Sequence, residues 1–186
     1  MNIRLIQLTA FIVLISMLAC TNKTKKEHDQ LTNKEMLADS VTSLEKSLHR
    51  DNILDPEKAS KMRAAYLSYV NSYPKDSIAP EYLFRAAEIA LNNNKPLDAC
   101  SYLYRIENQY PDYPRMPGVL FQMGHIYDSR LNDIQKAKKY YGLFLEKYPE
   151  HPLSADVSAL IKLLEVDDLS MIRKFEAQNS QEEADN

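Results

Sequence analysis

Three features of this sequence point to an all-α chain built from stacked helical hairpins. Only three glycines occur in 186 residues, tryptophan is absent, and runs of β-branched residues are few. Sheets built on tight hairpins and glycine-rich phosphate cradles are therefore both poorly served. All nine prolines fall at positions that read as helix boundaries. Tyr-Pro steps recur at Tyr73-Pro74, Tyr110-Pro111 and Tyr148-Pro149, spaced by 37 and 38 residues, and self-similarity near this period marks arrays of helical hairpins. With 45% apolar and 26% charged residues, the composition is that of a folded domain. The formal charge of −3 offers no cluster of Lys and Arg, which excludes nucleic acid as a partner.

Residues 1–19 stand apart from that domain and read as a secretion signal. Arg4 supplies a basic start, Leu5 to Leu18 an apolar stretch, and Ala19 a small residue before Cys20. The apolar stretch is short of the roughly 20 residues that span a bilayer. Met17-Leu18-Ala19-Cys20 resembles the bacterial lipobox. That resemblance implies lipidation of Cys20, which becomes the first residue of the mature protein and a membrane anchor. An ordinary cleaved signal, or an N-terminal anchor helix, accounts for the same run without using the cysteine. Residues 20–31 then hold the lipidated cysteine and a polar tether, TNKTKKEHDQ. With Cys20 acylated, Cys100 has no disulfide partner, and its apolar neighbours Leu97, Ala99 and Leu103 mark it as a small core residue.

Residues 32–176 form the expected repeat domain, with units at about 32–74, 78–111 and 115–149 and a cap at 152–176. Thr32-Asn33-Lys34-Glu35 matches a capping box, and Leu37, Val41, Leu44 and Leu48 follow at helical spacing. Asp55-Pro56 opens a second helix with Ala59, Met62, Tyr66, Tyr69 and Tyr73 on one face. The next pair runs from about Pro80 to Leu91 and from Pro96 to Gln109, and a third from Pro117 to Ser129 and from Asp133 to Tyr148. Proline lacks an amide hydrogen and disfavours helix in its predecessor, so each Tyr-Pro step closes a hairpin. Pro80 and Pro117 open the next hairpin, and Pro114 and Pro152 stiffen the connections. Val157, Leu160, Ile161 and Leu164 begin the cap that a repeat stack needs, and Leu169, Ile172 and Phe175 extend it. Residues 177–186 read as a flexible acidic tail.

Inside the repeats the pattern resembles tetratricopeptide repeats. Ala87 and Gly124 occupy the small position of the first helix, and Ala99 and Ala137 that of the second. Leu83 with Leu120, Ala90 with Tyr127, Leu103 with Tyr141 and Ile106 with Phe144 take further family positions, and Pro74, Pro111 and Pro149 the terminal proline. The resemblance implies a right-handed α-solenoid of about three hairpins plus a C-terminal capping helix. The lengthened repeats and Tyr-Pro endings also look like two envelope relatives, the Tol-Pal-associated periplasmic repeat protein and the repeat lipoprotein of the barrel-assembly machine.

No metal-ligand or nucleophile motif occurs: His28, His49, His125 and His151 are scattered, and HExxH, CxxC and Gly-x-Ser-x-Gly are all missing. A non-enzymatic binding module without cofactor or metal is the expected class. In the family register the concave groove is lined by Glu81, Phe84, Glu88 and Asn92, then by Phe121, His125, Asp128 and Ser129. Phe84 and Phe121 lie 37 residues apart, as groove anchors or as inter-repeat core. Two functions follow: an outer-membrane or periplasmic scaffold for an envelope protein or peptide segment, and a carbohydrate-binding lipoprotein using its twelve tyrosines. Oligomeric state has no signature in the sequence.

Overall fold

The computed structural model describes residues 31–46 and 56–166. Cys20, the tether, Leu48, Asp55, and the segment holding Leu169, Ile172 and Phe175 lie outside the described residues. Within them the fold is all-α, with seven helices and no strand. In chain order these are α1 (31–46), α2 (Pro56–Ser72), α3 (Ala79–Asn92), α4 (Pro96–Gln109), α5 (Met116–Ser129), α6 (Ile134–Lys147) and α7 (154–166). The chain divides into two compact units, one closing at Asp76 and the other opening at Ser77.

In the first unit Val41 of α1 is buried, while Leu37 and Leu44 are half-buried. The chain is already helical at Leu31, which places Thr32 inside α1 and not at its N-cap. Pro56 takes the first position of α2, where the missing amide hydrogen costs nothing. Ala59, Met62, Tyr66 and Tyr69 are buried as the spacing requires, and Val70 joins them. The Tyr66 hydroxyl donates to Glu45 at 2.7 Å, and Lys34 pairs with Asp76 at 2.5 Å. The phenol thus reaches the core with its polar tip satisfied.

In the second unit α3 packs on α4, α5 on α6, and α4 on α5, which is the contact order of consecutive hairpins. The Tyr-Pro steps all have one geometry. The amides of Tyr73, Tyr110 and Tyr148 donate to Tyr69, Ile106 and Phe144 over 2.8, 2.9 and 2.9 Å, closing the preceding helix. The amides of Asp76, Tyr113 and His151 then donate back to the carbonyls of those tyrosines over 3.1, 3.0 and 3.1 Å. Each is a β-turn with proline at its second position, where the fixed φ fits. A second such turn follows in two connections, Met116 to Tyr113 and Ser154 to His151 at 2.9 Å each, with Pro114 and Pro152 at its second position. The tyrosines lean on the helices they end: ring centroids lie 5.4 Å apart for Tyr69 and Tyr73, and 6.1 Å for Phe144 and Tyr148.

The hairpin tips use a different device. Asn94 and Asn132 have φ of 54° and 51°, the left-handed region that asparagine tolerates better than most residues. Three residues, 93–95, separate α3 from α4, and four, 130–133, separate α5 from α6. That one extra residue turns the 37-residue spacing into 38.

The small positions sit where paired helices approach. Ala87, Ala99 and Ala137 are fully buried. A Cβ added at Gly124 would lie 2.5 Å from both Cδ1 and Cε1 of Tyr141, far inside the 3.5–4.0 Å at which carbon atoms attract. The first repeat carries Ala87 with Leu103 where the second carries Gly124 with Tyr141. A methyl group is traded for the larger ring. Beyond α6, α7 buries Val157 and Leu164 and leaves Leu163 and Val166 exposed.

Candidate functional site

Four of the expected groove residues lie on α3. Glu81 is engaged inside the protein, since its carboxylate accepts from the Tyr113 hydroxyl at 2.6 Å, Arg85 Nε at 3.0 Å and an Arg115 amine at 3.2 Å. Burial alone would raise its pKa, but these three donors hold the carboxyl below its ordinary value. Burial first, and then the Glu81 carboxylate, push the Tyr113 phenol upward. Phe84 resolves as core: it is 5% exposed, the Arg115 guanidinium carbon sits 3.9 Å above its ring, and Tyr113 lies 6.5 Å away. The cation both covers the ring and is attracted by its face. Placed on the open face by the repeat register, Glu81 and Phe84 instead join α3 to the turn before α5.

Glu88 and Asn92 are exposed, and no side-chain hydrogen bond or ion pair joins either to another described residue. Burial is nonetheless the leading influence on Glu88 and raises its carboxyl, with the Arg115 charge opposing it. Solvent contact together with crowding by protein is what a residue lining a concavity experiences.

The other four lie on α5. Phe121 is half-buried and His125 exposed, with their rings stacked at 6.3 Å and 2°. Phe121 also touches Tyr141 and Phe144, at 6.1 and 6.4 Å between centroids. Ser129 folds its hydroxyl back onto the His125 carbonyl at 2.7 Å. Asp128 is half-buried and faces Tyr141, whose phenol is raised by burial and then by the Asp128 charge. The structure therefore gathers Glu81 and Phe84 around Arg115, and Phe121, His125 and Ser129 along one stripe of α5. Glu88 and Asn92 stand open on α3.

Sequence reasoning did not find the cluster of Glu81, Arg85, Tyr113 and Arg115. The positions equivalent to Arg115 are Ile78 and Leu153, so no recurrence marks it. Among the described residues no group of His, Cys, Asp or Glu is placed to hold a metal ion, and no helix is long and apolar enough to cross a membrane. Cys100 is buried, and burial raises its thiol, which keeps it protonated and unreactive.

Comparison with known proteins agrees with the hairpin geometry. The tetratricopeptide repeat model matches residues 81–113 and 119–151. No curated protein matches the chain. Repeats of this type generally mediate binding to other proteins or peptides and are generally non-catalytic. The tetratricopeptide repeat model thus falls on the paired hairpins α3–α4 and α5–α6, with their small residues at the helix crossings and their Tyr-Pro closures.

Proposed function

We propose that this protein is a non-catalytic scaffold of the bacterial cell envelope, anchored through lipid on Cys20 and holding a protein partner on the open face of its repeats. The observation that carries the reading is the pair of tetratricopeptide repeats, whose first helices leave Glu88, Asn92, His125 and Ser129 exposed and Phe121 half-buried. Acids beside an aromatic suit a segment with basic residues and an apolar anchor, since rim charges steer association and a few anchors supply most of the affinity. The apolar run ending in Met-Leu-Ala-Cys supports the anchor, and two or more acyl chains hold a protein stably at a bilayer. The outer membrane, with the domain facing the periplasm, is the proposed location.

The test has two parts. Labelling cells with a tagged fatty acid should mark the wild-type protein and leave Cys20→Ser unmarked, and membrane fractionation should follow the label. In-cell crosslinking should capture a partner that Glu88→Lys with Asp128→Lys no longer captures, while circular dichroism shows an intact fold. Capture that survives both changes removes the partner from this face.

A further inference from the structure

A second feature lies away from the α3 and α5 stripes, where α4, the end of α5 and α6 meet. Tyr127 and Tyr140 stack in parallel there, 5.6 Å between centroids and 3° between planes. With Cys100 they line a cleft of about 340 Å³. Its rim carries Leu97 and Tyr104, which are 70% and 56% exposed and lie seven residues apart on α4, hence on the same side of that helix. Large side chains grouped around a cleft and left to water are a signature of interaction sites.

The opposite wall is basic. Lys136 Nζ lies 5.0 Å from the Tyr127 ring centroid, and Lys139 Nζ 5.3 Å from that of Tyr140. Lys136 is paired with Asp133 at 2.8 Å, whereas Lys139 has no carboxylate ion pair among the described residues. Two of the four lysines of α6, Lys136 and Lys139, line the cleft, and no carboxylate does, in a chain whose formal charge is −3. Burial and then the Glu107 carboxylate raise the Tyr140 phenol, so it keeps its proton and remains a hydrogen-bond donor.

We propose that this cleft is a second docking site, and that its occupant is a short acidic segment of a partner protein bearing an apolar or aromatic residue. The apolar residue enters between Leu97 and Tyr104, and the flanking carboxylates meet Lys139 and Lys136. Charge complementarity selects the acid, and the depth of the site selects a peptide. A bilayer surface reaches the rim but not the floor, where Cys100 and Tyr140 are buried.

The whole protein is titrated against two fluorescein-labelled peptides, Glu-Asp-Leu-Phe-Asp-Glu and Lys-Lys-Leu-Phe-Lys-Lys, and binding is read by fluorescence anisotropy. The acidic peptide should bind and the basic one should not, with an affinity that falls as ionic strength rises toward about 0.15 M. Lys139→Glu and Tyr104→Ala should each weaken binding about tenfold or more. Lys162→Glu, the same charge reversal at an exposed position of α7, should leave it unchanged, which separates docking at this cleft from a dependence on net charge. Circular dichroism checks each variant, and Leu97→Ser, at the most exposed rim position, carries the same expectation if either loses helicity. Equal binding of both peptides, or acidic binding indifferent to Lys139→Glu, overturns the proposal. So does displacement of the peptide by phosphatidylglycerol vesicles in a manner that depends on Lys139, because the occupant is then a lipid surface.

Discussion

Gly124→Ala measures how tightly the second hairpin is closed. In an open helix this change stabilises by about 1 kcal/mol, since alanine is the better helix former. Here the added Cβ would sit 2.5 Å from two ring carbons of Tyr141, so helix and ring must part by about 1 Å to restore ordinary contact. Tyr141 is 0% exposed and flanked by Phe121 at 6.1 Å, which leaves the ring little room to turn. Overpacking of this kind costs about 1 to 3 kcal/mol. The net effect is a loss of up to about 2 kcal/mol where an open helix gains about 1. Tyr141→Leu installs the residue that stands at the equivalent position of the first repeat, Leu103, so alanine should become favourable at 124 in that background. A double-mutant cycle by urea unfolding, followed by circular dichroism, should then give a coupling of about 1 to 3 kcal/mol. If Gly124→Ala stabilises by about 1 kcal/mol in both backgrounds, the ring does not constrain the glycine and the size exchange between repeats has no energetic content.

Three further outcomes are expected. Tyr113→Phe removes the 2.6 Å donor to Glu81 and should cost about 1.5 to 3 kcal/mol at neutral pH, as for a hydrogen bond to a charged group. Because the folded state lowers the Glu81 carboxyl below its ordinary 4.5, its stabilisation is complete above that value and is lost as pH falls through the lower folded one. The difference between wild type and Tyr113→Phe in urea midpoints should accordingly be flat above pH 4.5 and shrink below it. Tyr141→Phe removes a buried hydroxyl that faces Asp128 but makes no hydrogen bond of ordinary geometry with it and should be neutral or slightly stabilising; a loss above about 1 kcal/mol in the same assay would mean that Asp128 accepts from it. Cys100, 5% exposed with a raised thiol, should react with a thiol-specific disulfide reagent only as fast as the domain opens, and labelling as fast as in urea would place it at the surface.

Helix boundaries were legible because proline's constraints are local: a missing amide hydrogen and a fixed φ act whatever surrounds them. The close approach at Gly124 was legible as a repeat position, but its cause, the larger partner Tyr141, needs a pairing across two helices. The capping box at Thr32 failed because the motif says where a helix can start, and the chain is helical one residue earlier. Phe84 and Phe121 show where periodicity stops informing. They occupy one register 37 residues apart, yet Arg115 covers the first ring, and the position matching Arg115 in the next connection is Leu153, which carries no cation. Surface accessibility was decided by neighbours that do not repeat. The cleft lined by Tyr127 and Tyr140 was illegible for a similar reason, as its walls come from α4, α5 and α6.

The connections between hairpins and the tips within them differ in how they tolerate change in length. From each closing tyrosine to the next helix the count is six residues in every case, 73–78, 110–115 and 148–153, while the tips hold three and four. A residue added at a tip displaces nothing downstream, because both helices of that hairpin keep their own contacts and the left-handed asparagine still reverses the chain. A residue added in the connection at 110–115 or 148–153 would shift one proline turn against the other and move the start of the helix that follows. Tips at 93–95 and 130–133 are therefore the places to splice in an epitope, a fluorophore site or a whole reporter domain. The six-residue connections are the chain's gauge blocks, setting where each successive helix begins.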